Sequence, residues 1–262
     1  MKGSTDETTM VLIEEAQLLN TLAAFLMPLF RLLGLFSSAP MLSSRAVPVR
    51  LRVVMAMVLA MLAAPLARSA PPAFHDPDIW AILASEVMIG LAIGLVCRML
   101  MASVEMAGEI IGLQMGLSFA AFFDQTTNSN TNAIGRLFNA ISMAIFVTIG
   151  GPSLLIAVTI SSVEHLPAAQ GTEQFLARVD IGAIATHVFE MGLLLALPYM
   201  ALLLFTNLSL GIMSRVAPQL NVFAIGFPIT ISTGLLLLTL GMPMLSHPIG
   251  QVHQAIFSII GF

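Results

Sequence analysis

The sequence predicts an all-α, polytopic membrane protein with about six long apolar helices, some of them broken or folded into hairpins. Three observations predict it. The chain has 262 residues, 58% of them hydrophobic and only 9% charged. A soluble domain carries about 25% charged residues, so this chain cannot cover a water-facing surface. Mean hydropathy is +0.96. The apolar residues also gather in runs long enough to cross a bilayer, separated by short polar or proline-rich turns. Residues 1–18 read as a polar N-terminal segment and 19–262 as a single integral membrane domain. The first residues, MKGSTDETTMVLIEEAQ, are acidic where a signal peptide would be basic and then apolar.

The first apolar run is Leu19–Phe36, with Pro28 and Arg31 inside it. An arginine in mid-span costs about 2.5–3.5 kcal/mol on insertion scales, so Arg31 should face protein or water rather than lipid. A loop, SSAPMLSSRAVPVRLR, carries Arg45, Arg50 and Arg52. Val53–Leu66 is the second run, and a turn with Pro71, Pro72 and Pro77 follows. Ile79–Ala102 is the third, with Glu86 and the pair Gly90 and Gly94. Small residues four apart let helix backbones approach closely in a membrane.

Leu137–Ser161 is interrupted by Gly150-Gly151-Pro152, which predicts a break or sharp bend. Ile181–Met213 is longer than one untilted span needs at 1.5 Å per residue, and Pro198 should divide or kink it. Val222–Leu245 is the last long run. The tail, Ser246–Phe262, is amphipathic and suited to the membrane surface.

The stretch Glu105–Arg136 stands apart. On a helical period, Glu105, Gly108, Glu109, Gly112, Gly116, Phe119 and Phe123 share one face. That face is two carboxylates, a glycine ladder and then aromatics, and the helical pattern runs to Asp124. A polar, almost uncharged loop follows before the next apolar run. Gly90, Gly94, Gly108, Gly112 and Gly116 are the expected helix-packing positions.

The acids in apolar segments are Glu86, Glu105, Glu109 and Glu190. Such acids are functional candidates by default, through proton coupling or a hydrated path. The plainer alternative is a carboxyl group held by hydrogen bonds to a neighbouring helix. Glu105 and Glu109, paired on the glycine face, lean towards a wet cavity or a basic partner. Most of the 18 methionines are core filler, but Met115, just before the polar loop, could form a deformable seal. The single cysteine, Cys97, lies in an apolar run and reads as a small buried side chain. No nucleophile stands at a recognisable spacing from a base, there is no phosphate loop, and the five histidines form no metal motif. The chain is therefore not expected to be an enzyme or to hold a cofactor or metal. Its scattered Lys and Arg and net charge of −4 give no support to nucleic-acid binding.

Two stretches, GEIIGLQMGLSFAAFFD (108–124) and RVAPQLNVFAIGFPI (215–229), resemble signature regions of the FliR family of flagellar biosynthetic proteins. RLLGLFSSAPMLSSRAVPVRLR (31–52) fits the same family, and the resemblance runs over essentially the whole chain from Leu19. It implies a non-catalytic subunit of the flagellar type III export gate in the bacterial inner membrane, at the flagellar basal body. It implies FliP and FliQ as partners in a helical assembly, FlhB and FlhA alongside, and exported flagellar proteins in transit. It also implies that the loop after the glycine-rich motif, here Ala121–Arg136, plugs the closed pore. Phe122, Phe123, Asp124, Gln125, Asn128 and Asn130 then belong to the gate, with Met115 at its root. The family often has proline after the aspartate, where this chain has Gln125. The alternative from the residues alone is a proton-coupled small-molecule transporter. Broken segments and intramembrane acids fit that too, although such transporters commonly show two related halves and none is evident here.

Overall fold

A computed structural model describes residues 3–44, 47–66, 78–117, 132–165, 180–217 and 222–260. At 3–20, 222–224, 242, 244–248 and 252–260 the description is confined to the backbone. Among the described residues all regular structure is helical: α1 (Gly3–Ser38), α2 (Val49–Ala63) with a 3-10 turn at Ala64–Leu66, α3 (Ile79–Gln114), α4 (Ala133–Thr148), α5 (Gly151–His165), α6 (Ile181–Val216) and α7 (Val222–Ile260). The protein is thus an all-α polytopic membrane protein. By length and apolar composition three of these helices can cross a membrane: α1 through Thr21–Ser38, α3 and α6. The broken pair α4 and α5 gives a fourth.

Several boundaries differ from the sequence reading, each for a physical reason. Ile79–Ala102 and the Glu105 stretch are one helix, because no proline separates them and the carboxylates lie on one face. The same helix ends at Gln114, because Gly116 adopts the left-handed region with φ +81°; Phe119 and Phe123 of the expected face lie outside the described residues. Gly116 is therefore not a position on the helix but part of its terminal turn. Pro198 sits inside an unbroken α6; membrane helices tolerate proline where neighbours or local adjustment re-satisfy the freed carbonyl. The tail continues α7 as far as Ile260. The break at Gly150 is as expected: Gly150 has φ +75°, and its carbonyl accepts the amide of Leu154 and the hydroxyl of Ser153.

The chain divides into two compact units. The first holds residues 1–98, 150–180 and 259–262; the second holds 99–149 and 181–258. In the first unit α1 and α3 meet backbone to backbone. A Cβ added at Gly90 would collide with the carbonyl of Arg31, and one at Gly94 with Ser38 and the backbone of Ala39. On α1 itself, Gly34 leaves the same kind of gap for Val87 and Leu91. Met27, Ile79 and Leu83 extend the contact, flanked by Leu26, Phe30 and Ile82. On α2, Ala56, Ala60 and Ala63 form the buried face, while Val54, Val58, Met61 and Leu62 are exposed. Cys97 is a buried free thiol.

The close approach creates the polar centre of this unit. Arg31 and Glu86 are each 1% exposed. Arg31 Nε donates to Glu86 Oε2 at 2.6 Å and Nη2 to Oε1 at 2.9 Å, a bidentate fork. Arg31 Nη1 donates to Ser162 Oγ on α5 at 2.9 Å, and the Ser162 hydroxyl donates to the Thr159 carbonyl at 2.6 Å. The arginine that lipid would reject is thereby solvated by protein on two helices. A buried pair is replaceable by apolar groups, but removing one partner strands the other at a cost of about 3–5 kcal/mol. Arg31→Met or Glu86→Gln is therefore expected to reduce the amount of chain in the membrane fraction and its melting temperature in detergent. The double variant R31M/E86L should recover most of both, and equal loss in single and double variants would mean that the pair does more than neutralise itself.

Candidate functional site

The candidate site lies in the second unit, where α3 ends. Its outer wall is the face of α3 that meets α4. Glu105 Oε2 accepts from Asn139 Nδ2 at 2.7 Å, so the first of the two paired carboxylates is held by an amide on α4. One turn on, Gly108 lets the α4 backbone in. A Cβ there would lie 2.8 Å from the Ile134 carbonyl oxygen and 2.9 Å from Gly135 Cα. After a further turn Gly112 faces the Asn132 side chain, with a Cβ at 2.5 Å from Nδ2 and 2.6 Å from Cγ.

Asn132 does two things at once. Its Oδ1 accepts the Gly135 amide at 2.8 Å, which caps the N-terminus of α4. Its Nδ2 donates to the Glu109 carbonyl on α3 at 3.0 Å. One side chain therefore joins the helix that ends before the polar loop to the helix that begins after it. The start of α4 is thereby held against α3 at Glu109 and Gly112.

The inner wall is the terminal turn of α3. A helix end leaves carbonyls without intrahelical partners, and away from water they must find others. The amide of Met115 bonds the Ile111 carbonyl at 3.0 Å, and that of Gly116 bonds the Leu113 carbonyl at 3.0 Å. Side chains from other helices close the next two. Asn207 Nδ2 on α6 donates to the Gln114 carbonyl at 3.3 Å, and the Thr230 hydroxyl on α7 reaches the Met115 carbonyl at 3.2 Å. Met115 is fully buried, and its side chain fills the notch left by Gly234 on α7. Gly116 lies against the Phe227 ring.

The other sequence candidates fall elsewhere. Glu86 is bound to Arg31 in the first unit. Glu109 is partly exposed beside Glu105, and Glu190 is exposed on α6. Phe122, Phe123, Asp124, Gln125, Asn128 and Asn130 lie outside the described residues. The sequence reading missed Asn132 and Asn139 as contact residues, although asparagine directly before an apolar helical run is an N-cap signal. It also missed Asn207, Phe227 and Thr230. Among the described residues no group of three or more His, Cys, Asp or Glu could hold a metal ion.

This architecture defines a class first: a membrane-embedded helical protein whose polar interactions, among the described residues, serve helix packing and helix ends. The model of a family described as bacterial export proteins, family 1, matches residues 22–256. The flagellar biosynthetic protein FliR of Escherichia coli (strain K12) is 36% identical over 255 residues, 96% of each chain. That of Pectobacterium carotovorum subsp. carotovorum is 35% identical over 247 residues, 93% of each chain. That of Bacillus subtilis (strain 168) is 28% identical over 234 residues, 87% of this chain and 89% of its own. The chain belongs to the FliR family of bacterial export proteins. It is accordingly a membrane-embedded component of flagellar protein export, and the names of these relatives describe no catalytic activity.

The geometry separates two glycines that look alike in sequence. Gly108 faces backbone, whereas Gly112 faces the Asn132 side chain, which two hydrogen bonds hold. Gly108→Ala should destabilise by about 1–3 kcal/mol, as overpacking does. Gly112→Ala must shift Asn132 and should also loosen the cap of α4. Thermal unfolding in detergent checks both, and a Gly112→Ala chain as stable as the parent would contradict the second.

Proposed function

We propose that the chain is a structural, pore-forming subunit of the flagellar type III export gate. In this reading it sits in the bacterial inner membrane at the flagellar basal body. It assembles with FliP and FliQ, beside FlhB and FlhA, around a path for exported flagellar proteins, and the loop closes that path at rest; of the expected 121–136, residues 133–136 belong to α4, which leaves 121–131 as the plug. The observation that carries the reading is the pair of hydrogen bonds made by Asn132, which cap α4 and tie its start to α3. A polar insertion between two helices fixed to each other has a firm base, which is what a plug requires. Its residue types suit the role. Phe122 and Phe123 supply apolar bulk at which a constriction can dewet. Gln125, Asn128 and Asn130 are polar and neutral, so they can occupy a lumen without burying charge. Asp124 and Asn128 favour turns that keep the loop compact.

Glu190 supports an assembly. It is exposed on α6 among Phe189, Leu193 and Leu194, which are exposed as well, and no partner for it appears among the described residues. A bare carboxylate does not face acyl chains, so another subunit or a wet path should cover it. The small-molecule transporter reading is weakened, because Glu86, one of the acids it would use, is bound by Arg31.

Because Asn132 caps α4, a test of the plug must spare it. Deleting Thr126–Asn130 should leave the complex assembled and make it leak ions. The measurement is conductance of the purified complex in planar bilayers. An assembled deletion complex as tight as the parent would rule out the loop as the seal and leave Met115 with neighbouring subunits as the better candidate.

A further inference from the structure

Between Ala81 and Arg98 the exposed residues of α3 are Ala81, Ala84, Met88, Leu91, Leu95 and Arg98, and every residue between these is buried or half-buried. All six lie in the first unit. Their spacing alternates between 3 and 4, the seven-residue repeat of a helix seam. On a helical period they form one stripe, while Gly90 and Gly94, which meet α1, fall on another face. No partner for Arg98 appears among the described residues. We propose that this stripe is the seat of one membrane helix from another subunit, and that this helix brings an aspartate or glutamate to Arg98. The proposal rests on the reading of the chain as a subunit of an assembly.

Three features select a helix rather than acyl chains. The first is the spacing. A lipid-facing surface needs only to be apolar, whereas a strict seven-residue repeat winds slowly about an α-helix, and a second helix follows it by crossing at about 20°. The second is side-chain size. Ala81 and Ala84 let a backbone come close, and Met88, Leu91 and Leu95 offer knobs for its grooves. The third is charge. Arg98 stands near the middle of a 36-residue helix, with Leu95 one turn before it on the stripe. A guanidinium there is expensive against hydrocarbon. The first unit already contains the remedy: Arg31, also within an apolar helix, is met by both carboxylate oxygens of Glu86. The open stripe leaves room for the same remedy from a second chain.

The test uses the complete export complex, with the photo-cross-linker p-benzoylphenylalanine in place of Leu95 and the adduct mapped by peptide mass spectrometry. The expected adduct joins one membrane subunit, in an apolar peptide that carries an Asp or Glu about one helical turn from the attachment. Arg98→Glu should lower the amount of that subunit that co-purifies several-fold, and Arg98→Lys should lower it less. Replacing the mapped acid with Arg should restore it beside Arg98→Glu. An adduct with lipid alone, in an intact complex, overturns the seat and assigns Arg98 to headgroup phosphate, while the assembly reading stands. A protein adduct with no acid near it, or an Arg98→Glu complex as complete as the parent, also overturns the proposal. If the chain purifies with no second membrane subunit, the assembly reading falls and this proposal falls with it.

Discussion

The end of α3 must be closed by hydrogen bonds that its own backbone cannot supply. The helix turns out of its path at Gly116, inside an apolar protein, and exposed carbonyls there have no water to turn to. Asn207 and Thr230 close the last two carbonyls from α6 and α7, and Asn132 reaches the Glu109 carbonyl from the cap of α4. Two other helices are therefore referenced to this turn, and a third to an earlier turn of α3. The glycines follow from the same constraint: Gly108, Gly112 and Gly234 bring the partners near enough for short polar side chains to reach.

The first unit solves the same problem with charge. Gly90 brings α1 and α3 so close that the Arg31 fork meets both oxygens of Glu86, and Ser162 takes a further donor. The pair looks like a site for proton movement when read in sequence. In the fold it is a bidentate ion pair closed off from solvent, and its work is to let a charged residue lie within a membrane helix. Polar groups in this chain are thus of two kinds. Arg31, Glu86 and Ser162 in the first unit bind one another. Glu109 and Glu190 in the second stay partly or wholly open, available to whatever covers the chain in its assembly.

Much of this was legible in the sequence, for local reasons. The low charge and the long apolar runs dictate a helical membrane protein, and Gly150-Gly151-Pro152 breaks a helix wherever it occurs. What was illegible depends on conformation or on distant partners. The spacing of Gly112 and Gly116 fits one helical face, yet Gly116 serves through a positive φ, which periodicity does not reveal. The apolar pattern runs on past Met115, so the end of α3 at Gln114 leaves no mark in it. Arg31 and Glu86 are far apart in sequence, and only the crossing at Gly90 shows that they meet. Thr230 and Asn207 lie in apolar helices, where their short side chains read as neutral; their role exists only because the end of α3 arrives beside them.

The proposed plug requires residues 118–131 to occupy the export path at rest. An experimental structure of the closed, assembled export gate measures this directly. The segment is then expected to cross the lumen, with Asn132 still bonded to the Glu109 carbonyl. A segment lying on the lipid-facing or outer surface of the assembly, with the lumen closed by other residues, would contradict it.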